Sequence, residues 1–113
     1  MPSDRIQQAV IFAEQTSTVI VLKGADTVVA EGERFYVNAT GNAGMATAGS
    51  GDCLTGVIAA LLGQKMSPFD GAQLAVYVHG LAGDIAAEKK GQISLIATDI
   101  IESLPEAFIS VNR

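Results

Sequence analysis

Cysteine and basic residues are both scarce in this sequence, and each scarcity excludes a class of protein. A single cysteine cannot form an internal disulfide, so a reducing, cytoplasmic setting is the default expectation. Lys and Arg number 7 against 12 Asp and Glu, and the resulting net charge of −5 argues against a nucleic-acid partner. No apolar run is long enough to cross a bilayer, and no basic-then-apolar leader opens the chain, so we expect no membrane partner.

Charge of either sign is also sparse, whereas apolar residues are abundant. Charged residues make up 17% of the chain and hydrophobic residues 49%, which is the opposite of a disordered composition. With 113 residues the chain can bury one modest core. The sequence therefore predicts a single folded unit.

The first third of the chain predicts a helix followed by strands. Ser3 and Asp4 are typical of a helix start, and apolar residues recur at helical spacing as far as Ala13. The β-branched run TVIVLKG (residues 18–24) predicts a strand buried on both faces. TVVAE and RFYVN follow on either side of a turn at Gly32 and predict a β-hairpin.

The remainder predicts helices. Residues 52–62 are apolar nearly all round, which predicts a helix with no solvent-facing side. Ser67 and Pro68 favour the start of a long helix reaching residues 89–90, and Pro105 is expected to break or restart the last one. Strands first and helices later indicate an α/β fold. Three strands cannot cover an all-round apolar helix, so the sheet looks incomplete.

The stretch GNAGMATAGSGD is a small-residue loop that ends in one carboxylate, Asp52, just before the apolar helix. Amides of a glycine loop and of a helix's first turn can bind phosphate oxygens. Asp52 would repel a phosphate, but beside such amides it could act as a base on a substrate hydroxyl during phosphoryl transfer. The plainer interpretation is a first-turn carboxylate that stabilises the helix dipole by about 0.3–1 kcal/mol. The short GSGD motif taken alone favours this plainer interpretation.

A longer pattern around this junction is similar to a known family. The segment GNAGMATAGSGDCLTGVIAALLGQKMSPFDGAQLAVYVHGLAGD resembles the ADP- or ATP-dependent NAD(P)H-hydrate dehydratases of the ribokinase-like superfamily. VIVLKGADTVVA, FYVN and LIATDIIESLP resemble the same family, so the resemblance covers almost the whole chain. It corresponds only to the C-terminal part of the family's catalytic domain. The implied fold is therefore the C-terminal portion of a ribokinase-like three-layer α/β/α domain, present as one incomplete unit over residues 1–113.

The resemblance also implies a reaction and a set of residues. In that family a nucleotide phosphorylates the hydroxyl of hydrated NADH or NADPH, and loss of phosphate regenerates the cofactor. Asp52 would be the base acting on that hydroxyl, and the nucleotide, ADP or ATP, would carry Mg²⁺ to neutralise developing charge. The implied nucleotide contacts fall into three groups: Lys23, Gly24, Ala25, Asp26 and Thr27; the pocket loop with Asn42, Met45, Ala46 and Thr47; and an anion hole of Ala48, Gly49, Ser50 and Gly51.

Four residues near the junction or in the helices each have a chemical and a structural interpretation. Lys23 could be a solvated strand-end lysine, but the resemblance favours nucleotide contact. Cys53 follows Asp52 and is interpreted as core packing rather than as a nucleophile. His79 has no neighbours at metal-ligand spacing, which favours either a histidine packed in the core or one that contacts and orients a residue of the site. Asp84 is interpreted as a local hydrogen-bonding group.

Two other functions remain open at this point. A ribokinase-like small-molecule kinase would stop at the phosphorylated product, and a non-catalytic remnant would retain only the nucleotide cradle. The NAGMAT and YVHGLAGD segments favour the dehydratase. We expect the segment alone to be inactive because part of the pocket is missing, and the apolar surface left exposed would favour a homo-oligomer. No protein cage for a metal ion is visible, and the choice between ADP and ATP stays open.

Overall fold

A computed structural model of the chain describes residues 2–111, with side chains from residue 4 onward. The elements in chain order are α1 (Pro2–Thr16), β1 (Ile20–Leu22), β2 (Val28–Glu31), β3 (Arg34–Val37), α2 (Ser50–Gly63), α3 (Pro68–Lys90) and α4 (Ala97–Val111). One short 3₁₀ turn, Ala43–Met45, lies in the loop before α2. The predicted α/β class is confirmed.

The first helix begins one residue before its predicted cap. α1 starts at Pro2, and the side chain of Ser3 lies outside the described residues. Ala9 and Ala13 are fully buried and pack against Val28 and Ala30 of the sheet. Small side chains on this face of α1 let the helix lie close to the strands, as the sequence spacing predicted.

The three strands form an antiparallel meander in the order β1-β2-β3. Val21 pairs with Val29 across the first ladder, and Val29 pairs with Tyr36 across the second. A two-residue loop joins β2 to β3, and its Gly32 has φ 58°, a conformation that suits the first loop position of such hairpins. The predicted hairpin is therefore confirmed.

The prediction that β1 is buried on both faces is wrong for the described chain. Within the predicted strand of residues 18–24, only residues 20–22 form a strand, and all three are half-buried. The central strand β2 holds the buried positions instead. The reason is topological: within residues 2–111, β1 pairs with β2 alone and lies at the edge of the sheet.

The sheet separates two apolar layers. Val28 and Ala30 face α1, whereas Val29 faces the opposite side and joins a cluster with α2 and α3. That cluster consists of Leu54, Val57, Leu61, Phe69, Ala72, Ala75 and Val76. Alternation along β2 therefore places helices on both faces of the sheet, which is the expected three-layer arrangement.

The prediction that the glycine-loop helix is buried all round is also wrong. In α2 the buried positions are Ser50, Leu54, Val57 and Leu61, which form one stripe at helical spacing. The opposite side, including Thr55, Ala59 and Leu62, is exposed. An apolar composition fixes which side chains prefer burial, but the neighbours available decide how many are covered.

The long helix α3 starts as predicted and brings the loop before α2 close. Ser67 Oγ accepts a hydrogen bond from the amide of Asp70, and Pro68 occupies the first turn. Side chains at Gly80 and Gly83 would clash with Thr40 and Met45. These glycines therefore allow the loop to pack directly on the helix backbone.

The last helix contains its proline rather than ending at it. α4 runs unbroken from Ala97 to Val111 with Pro105 inside, so the predicted break does not occur. Pro105 and Ile101, whose carbonyl loses its helical partner, are both exposed, so water can satisfy that carbonyl. Asp99 fixes the start of α4 by accepting hydrogen bonds from the Ile96 amide, at 3.0 Å, and from Lys90, at 2.8 Å. Among residues 2–111, no helix has the length and apolar character to span a bilayer.

Candidate functional site

A cavity of about 830 Å³ lies between the β1–β2 loop, the glycine loop and the start of α2. The nucleotide contacts implied by the family resemblance line it, apart from Asp26 and Gly49. Those that do are Lys23, Gly24, Ala25, Thr27, Asn42, Met45, Ala46, Thr47, Ala48, Ser50 and Gly51. Two separate segments, residues 23–27 and 42–51, thus meet around one space.

The β1–β2 loop, residues 23–27, is tied down by hydrogen bonds within it and across to its neighbours. Thr27 Oγ1 donates to the Gly24 carbonyl at 3.1 Å and accepts from the Gly24 amide at 3.3 Å. The Asn38 amide donates to the Thr27 carbonyl at 2.8 Å. The guanidinium of Arg5 in α1 donates to three further carbonyls of this hairpin end. This strand-end loop is therefore held from both sides.

The ammonium of Lys23 lies beside the first turn of α2. A Cβ placed on Gly51 would be 3.1 Å from Lys23 Nζ. A helix N-terminus carries partial positive charge from its unpaired amides, so a second cation there creates a strongly electropositive spot. An anion bound at that spot would neutralise both.

The glycine loop is anchored to α3 through one carboxylate. Asp84 accepts from the Gly41 amide at 3.0 Å through Oδ2 and from Asn42 Nδ2 at 2.9 Å through Oδ1. Asn42 Oδ1 in turn accepts from the Gly44 amide at 3.0 Å, which caps the 3₁₀ turn. Both oxygens of Asp84 are thus used to hold the loop, in agreement with its predicted hydrogen-bonding role.

The helix after the glycine loop begins earlier than the sequence suggested. Gly49 adopts φ 88° and precedes the first helical residue, Ser50. Ser50 and Gly51 therefore belong to the first turn of α2, where backbone amides have no partner within the helix. The Ser50 amide donates instead to the Thr47 carbonyl, at 3.2 Å. A left-handed residue at this point suits glycine, which explains its presence immediately before the helix.

Asp52 occupies the first turn of α2 but does not line the cavity. It is exposed, and the cavity wall nearest to it is formed by its neighbours Ser50 and Gly51. Asp52 and Ser50 are two positions apart on the helix and so face different directions. Within the described chain the expected base and the cavity are therefore adjacent but separate, and the contacts of Asp52 assign it no role beyond helix stabilisation.

His79 lies in the cavity wall and is 8% exposed. Burial lowers the pKa of its imidazole, and the adjacent backbone of Ser50 opposes that shift in part. Among the buried side-chain atoms of residues 4–111, His79 Nε2 alone lacks a hydrogen-bond partner. Such an atom is costly to leave unpaired, so this nitrogen is suited to a water molecule or a ligand group in the cavity.

Cys53 and the acidic side chains do not form a second reactive centre. Cys53 is half-buried, packs on the α3–α4 cluster, and burial raises the pKa of its thiol, in agreement with its interpretation as core. In the described part of the chain, no three His, Cys, Asp or Glu side chains are placed to hold a metal ion.

Several residues around the cavity were not assigned from the sequence. Those that complete its wall are Asn38, Thr40, Gly41, Leu54, Val76, His79 and Gly80, whereas Ala43 belongs to the loop 42–47 that the resemblance placed at the pocket. Asn38 is 5% exposed and donates to the Val76 carbonyl at 3.1 Å, so it joins the strand end to α3. The one sequence signal for Asn38 was the position of a polar amide residue directly after the predicted strand. Arg5 gave no signal, because a single arginine in an amphipathic helix is ordinarily a solvated side chain.

Comparison with curated proteins places this geometry in a known family. The family model described as NAD(P)H-hydrate dehydratase matches residues 1–106. A bifunctional NAD(P)H-hydrate repair enzyme of Moorella thermoacetica is 50% identical over 103 residues, covering 90% of this chain and 19% of that protein. An ADP-dependent (S)-NAD(P)H-hydrate dehydratase of Haloterrigena turkmenica is 42% identical over 96 residues, covering 84% of this chain and 37% of that protein.

Solved structures agree with the sequence relatives. The ADP/ATP-dependent NAD(P)H-hydrate dehydratase of Bacillus subtilis, co-crystallised with ATP and Mg²⁺, superimposes with a TM-score of 0.89 at 34% identity. The match covers 96% of this chain and 40% of that one. The chain thus spans well under half the length of these relatives. By sequence and by fold, it belongs to the NAD(P)H-hydrate dehydratase family.

Proposed function

We propose that residues 1–113 are the nucleotide-binding and catalytic-base segment of a longer NAD(P)H-hydrate dehydratase domain. The observation that carries this proposal is the meeting of Lys23 and Gly51 at one end of the cavity. An ammonium and free helix amides at one spot suit the phosphates of ADP or ATP, and the cavity volume suits a nucleotide.

The proposed reaction has two steps. In the first step Asp52 accepts the proton of the hydrate's hydroxyl group while the hydroxyl oxygen attacks the terminal phosphorus of the nucleotide. The bond between that phosphorus and the nucleotide's bridging oxygen breaks. In the second step the bond between the ring carbon and the phosphate oxygen breaks, and the phosphate takes the bonding electrons. The neighbouring ring carbon loses a proton, so that a ring double bond forms and NADH or NADPH is restored. The Gly51 amide, with the ammonium of Lys23, stabilises charge on the phosphoryl group in transfer.

Asp52 requires a neighbour that the described residues do not supply. Because it is exposed beside the cavity, we infer that the hydrate binds on the outer side of the α2 start, against an upstream part of the domain. Strand β1 is half-buried at the sheet edge, and one side of α2 is exposed. Both observations support a further part of the domain that packs on this side. We call the longer chain that would carry this segment the full-length parent.

Mg²⁺ would arrive with the nucleotide rather than at a protein cage. Carboxylates clustered for a metal are absent from residues 2–111, whereas nucleotide phosphates provide oxygen ligands of their own. When bound, the ion would neutralise phosphate charge, and no step proposed here passes through it. We place the enzyme in the cytoplasm, where NADH and NADPH are found and a lone cysteine stays reduced.

The test uses both the full-length parent and the 113-residue chain. Hydrated NADH is incubated with ADP or ATP and Mg²⁺, and recovery of NADH absorbance is followed. We expect recovery with the parent and none with the segment alone, while calorimetry shows nucleotide binding to the segment. Failure of the parent to restore NADH with either nucleotide would refute the dehydratase. Accumulation of a phosphorylated product without NADH would indicate a kinase instead.

A further inference from the structure

Arg5 makes a set of contacts that the proposed reaction does not use. It lies in the first turn of α1, and its side chain reaches the end of the β1–β2 hairpin. Nη1 donates to the Asp26 carbonyl at 2.8 Å, and Nη2 donates to the carbonyls of Leu22 and Lys23 at 3.1 and 3.0 Å. One guanidinium therefore binds three carbonyls spread over five residues.

The position of Arg5 on its own helix makes these contacts informative. A cation in the first turn of a helix is disfavoured by the helix dipole, so local helix stability does not explain it. A planar guanidinium with five donors can bind several acceptors at fixed angles, which an ammonium cannot do. The tertiary contact is thus the physical reason for an arginine at this position.

The loop held by Arg5 is the one that lines the cavity. Leu22 ends β1, and Lys23, Gly24, Ala25 and Thr27 form part of the cavity wall. The carbonyls of Lys23 and Asp26 are bound by Arg5, while the ammonium of Lys23 lies beside Gly51. A change at the guanidinium would therefore be transmitted through the backbone to the proposed phosphate-binding ammonium.

Gly24 fits this arrangement. A Cβ at that position would lie 2.7 Å from Arg5 Nη2, too close for both to remain in place. The absence of a side chain at residue 24 is what allows the guanidinium to reach the carbonyls on either side of it.

We propose that Arg5 is a positioning residue for nucleotide binding: its guanidinium fixes the backbone of residues 22–26 and thereby places Lys23 at the start of α2. This inference rests on the proposed nucleotide site. It predicts a selective loss of nucleotide affinity, because Arg5 contacts only the backbone of the loop and lines no part of the cavity wall.

Four variants of the full-length parent test the role. Arg5→Gln removes the charge and most of the donors, whereas Arg5→Lys keeps the charge but cannot bind three carbonyls. Arg34→Gln is the matched control, because Arg34 pairs with Glu31 and lies over the Phe69 ring, away from the loop. Gly24→Ala disturbs the same contact from the loop side, because its Cβ would crowd the guanidinium. It replaces Arg5→Gln as the test variant if Arg5→Gln fails to fold.

The first measurement is steady-state kinetics with nucleotide and hydrate varied separately. We expect Arg5→Gln to raise the KM for nucleotide by roughly ten- to hundredfold, with the KM for hydrate and kcat little changed. Arg5→Lys should resemble Arg5→Gln, and Arg34→Gln should resemble the wild type. Combining Gly24→Ala with Arg5→Gln should add little to either alone, since both remove one contact.

The second measurement is hydrogen exchange of the amides of residues 23–27 without nucleotide, which does not depend on the proposed activity. We expect faster exchange in Arg5→Gln and no change in Arg34→Gln. A wild-type nucleotide KM in Arg5→Lys would overturn the proposal, because charge alone would then suffice. A thermal shift in Arg5→Gln without a selective change in nucleotide KM would also overturn it. If the unaltered parent shows no nucleotide dependence, the proposed function fails and this inference fails with it.

Discussion

Lys23 and Gly51 come from separate segments, yet a Cβ built on Gly51 would lie 3.1 Å from Lys23 Nζ. The space that a side chain would take at residue 51 is therefore partly occupied by a cation. Gly51 also lies in the first turn of α2, where amides are free to bind an anion. This relationship leads to the first prediction.

Gly51→Ala should weaken nucleotide binding by on the order of tenfold, because the new methyl group crowds the Lys23 ammonium and narrows the approach of a phosphate to the amides. Calorimetric titration of the 113-residue chain with ADP and ATP measures the change. Gly56→Ala is the control, since Gly56 lies in the same helix with open space around it. It should leave binding unchanged and stabilise the helix by roughly 0.5–1 kcal/mol. Equal nucleotide affinity in both variants would count against the anion site.

Asp52→Asn in the full-length parent should lower turnover about 10²–10⁴-fold while nucleotide binding persists, because the amide cannot accept the hydroxyl proton. Asp70→Asn is the matched control, since Asp70 is likewise an exposed first-turn carboxylate, in α3. If both substitutions change only stability, and by similar amounts, Asp52 is no more than a helix-dipole carboxylate.

His79 should make the folded state sensitive to mildly acidic pH. Burial lowers its pKa below 6.5, so the unfolded chain takes up a proton before the folded one does. Stability from this group is therefore complete above about pH 6.5 and falls as pH drops through the lower folded pKa. Urea unfolding of wild type and His79→Gln between pH 7.5 and 5 isolates the effect. We expect the wild type to lose stability relative to the variant as pH falls, and a constant difference would contradict the assignment.

Pro105→Ala should stabilise α4, because proline inside a helix costs up to about 3 kcal/mol relative to alanine. The gain is reduced by roughly 0.4–1 kcal/mol, since proline also restricts the unfolded chain. Pro68→Ala is the control, because a proline in the first helical turn breaks no hydrogen bond. Denaturant unfolding should show a higher free energy of unfolding for Pro105→Ala and no gain for Pro68→Ala. A lower value for Pro105→Ala would mean that the packing contacts of the proline ring stabilise the fold by more than its helix penalty.

The sequence by itself determined the local elements and the chemistry of the junction. Periodicity located the helices, the turn at Gly32 located the hairpin, and GSGD marked the place where free amides meet a carboxylate. These are properties of neighbouring residues: dihedral preferences, capping and side-chain spacing act within a few positions of the chain.

Only the tertiary structure decided which of those elements meet and which faces remain uncovered. An apolar run predicts burial on every side, but in α2 only one stripe of side chains is buried. Strand β1 has a neighbouring strand on one side only. In both elements, the extent of burial depends on which neighbours are present. Arg5 and His79 became informative only when their contacts were known, since a lone arginine or histidine has no pattern to mark it. Long-range proximity is set by packing of the whole chain, which no local stretch encodes.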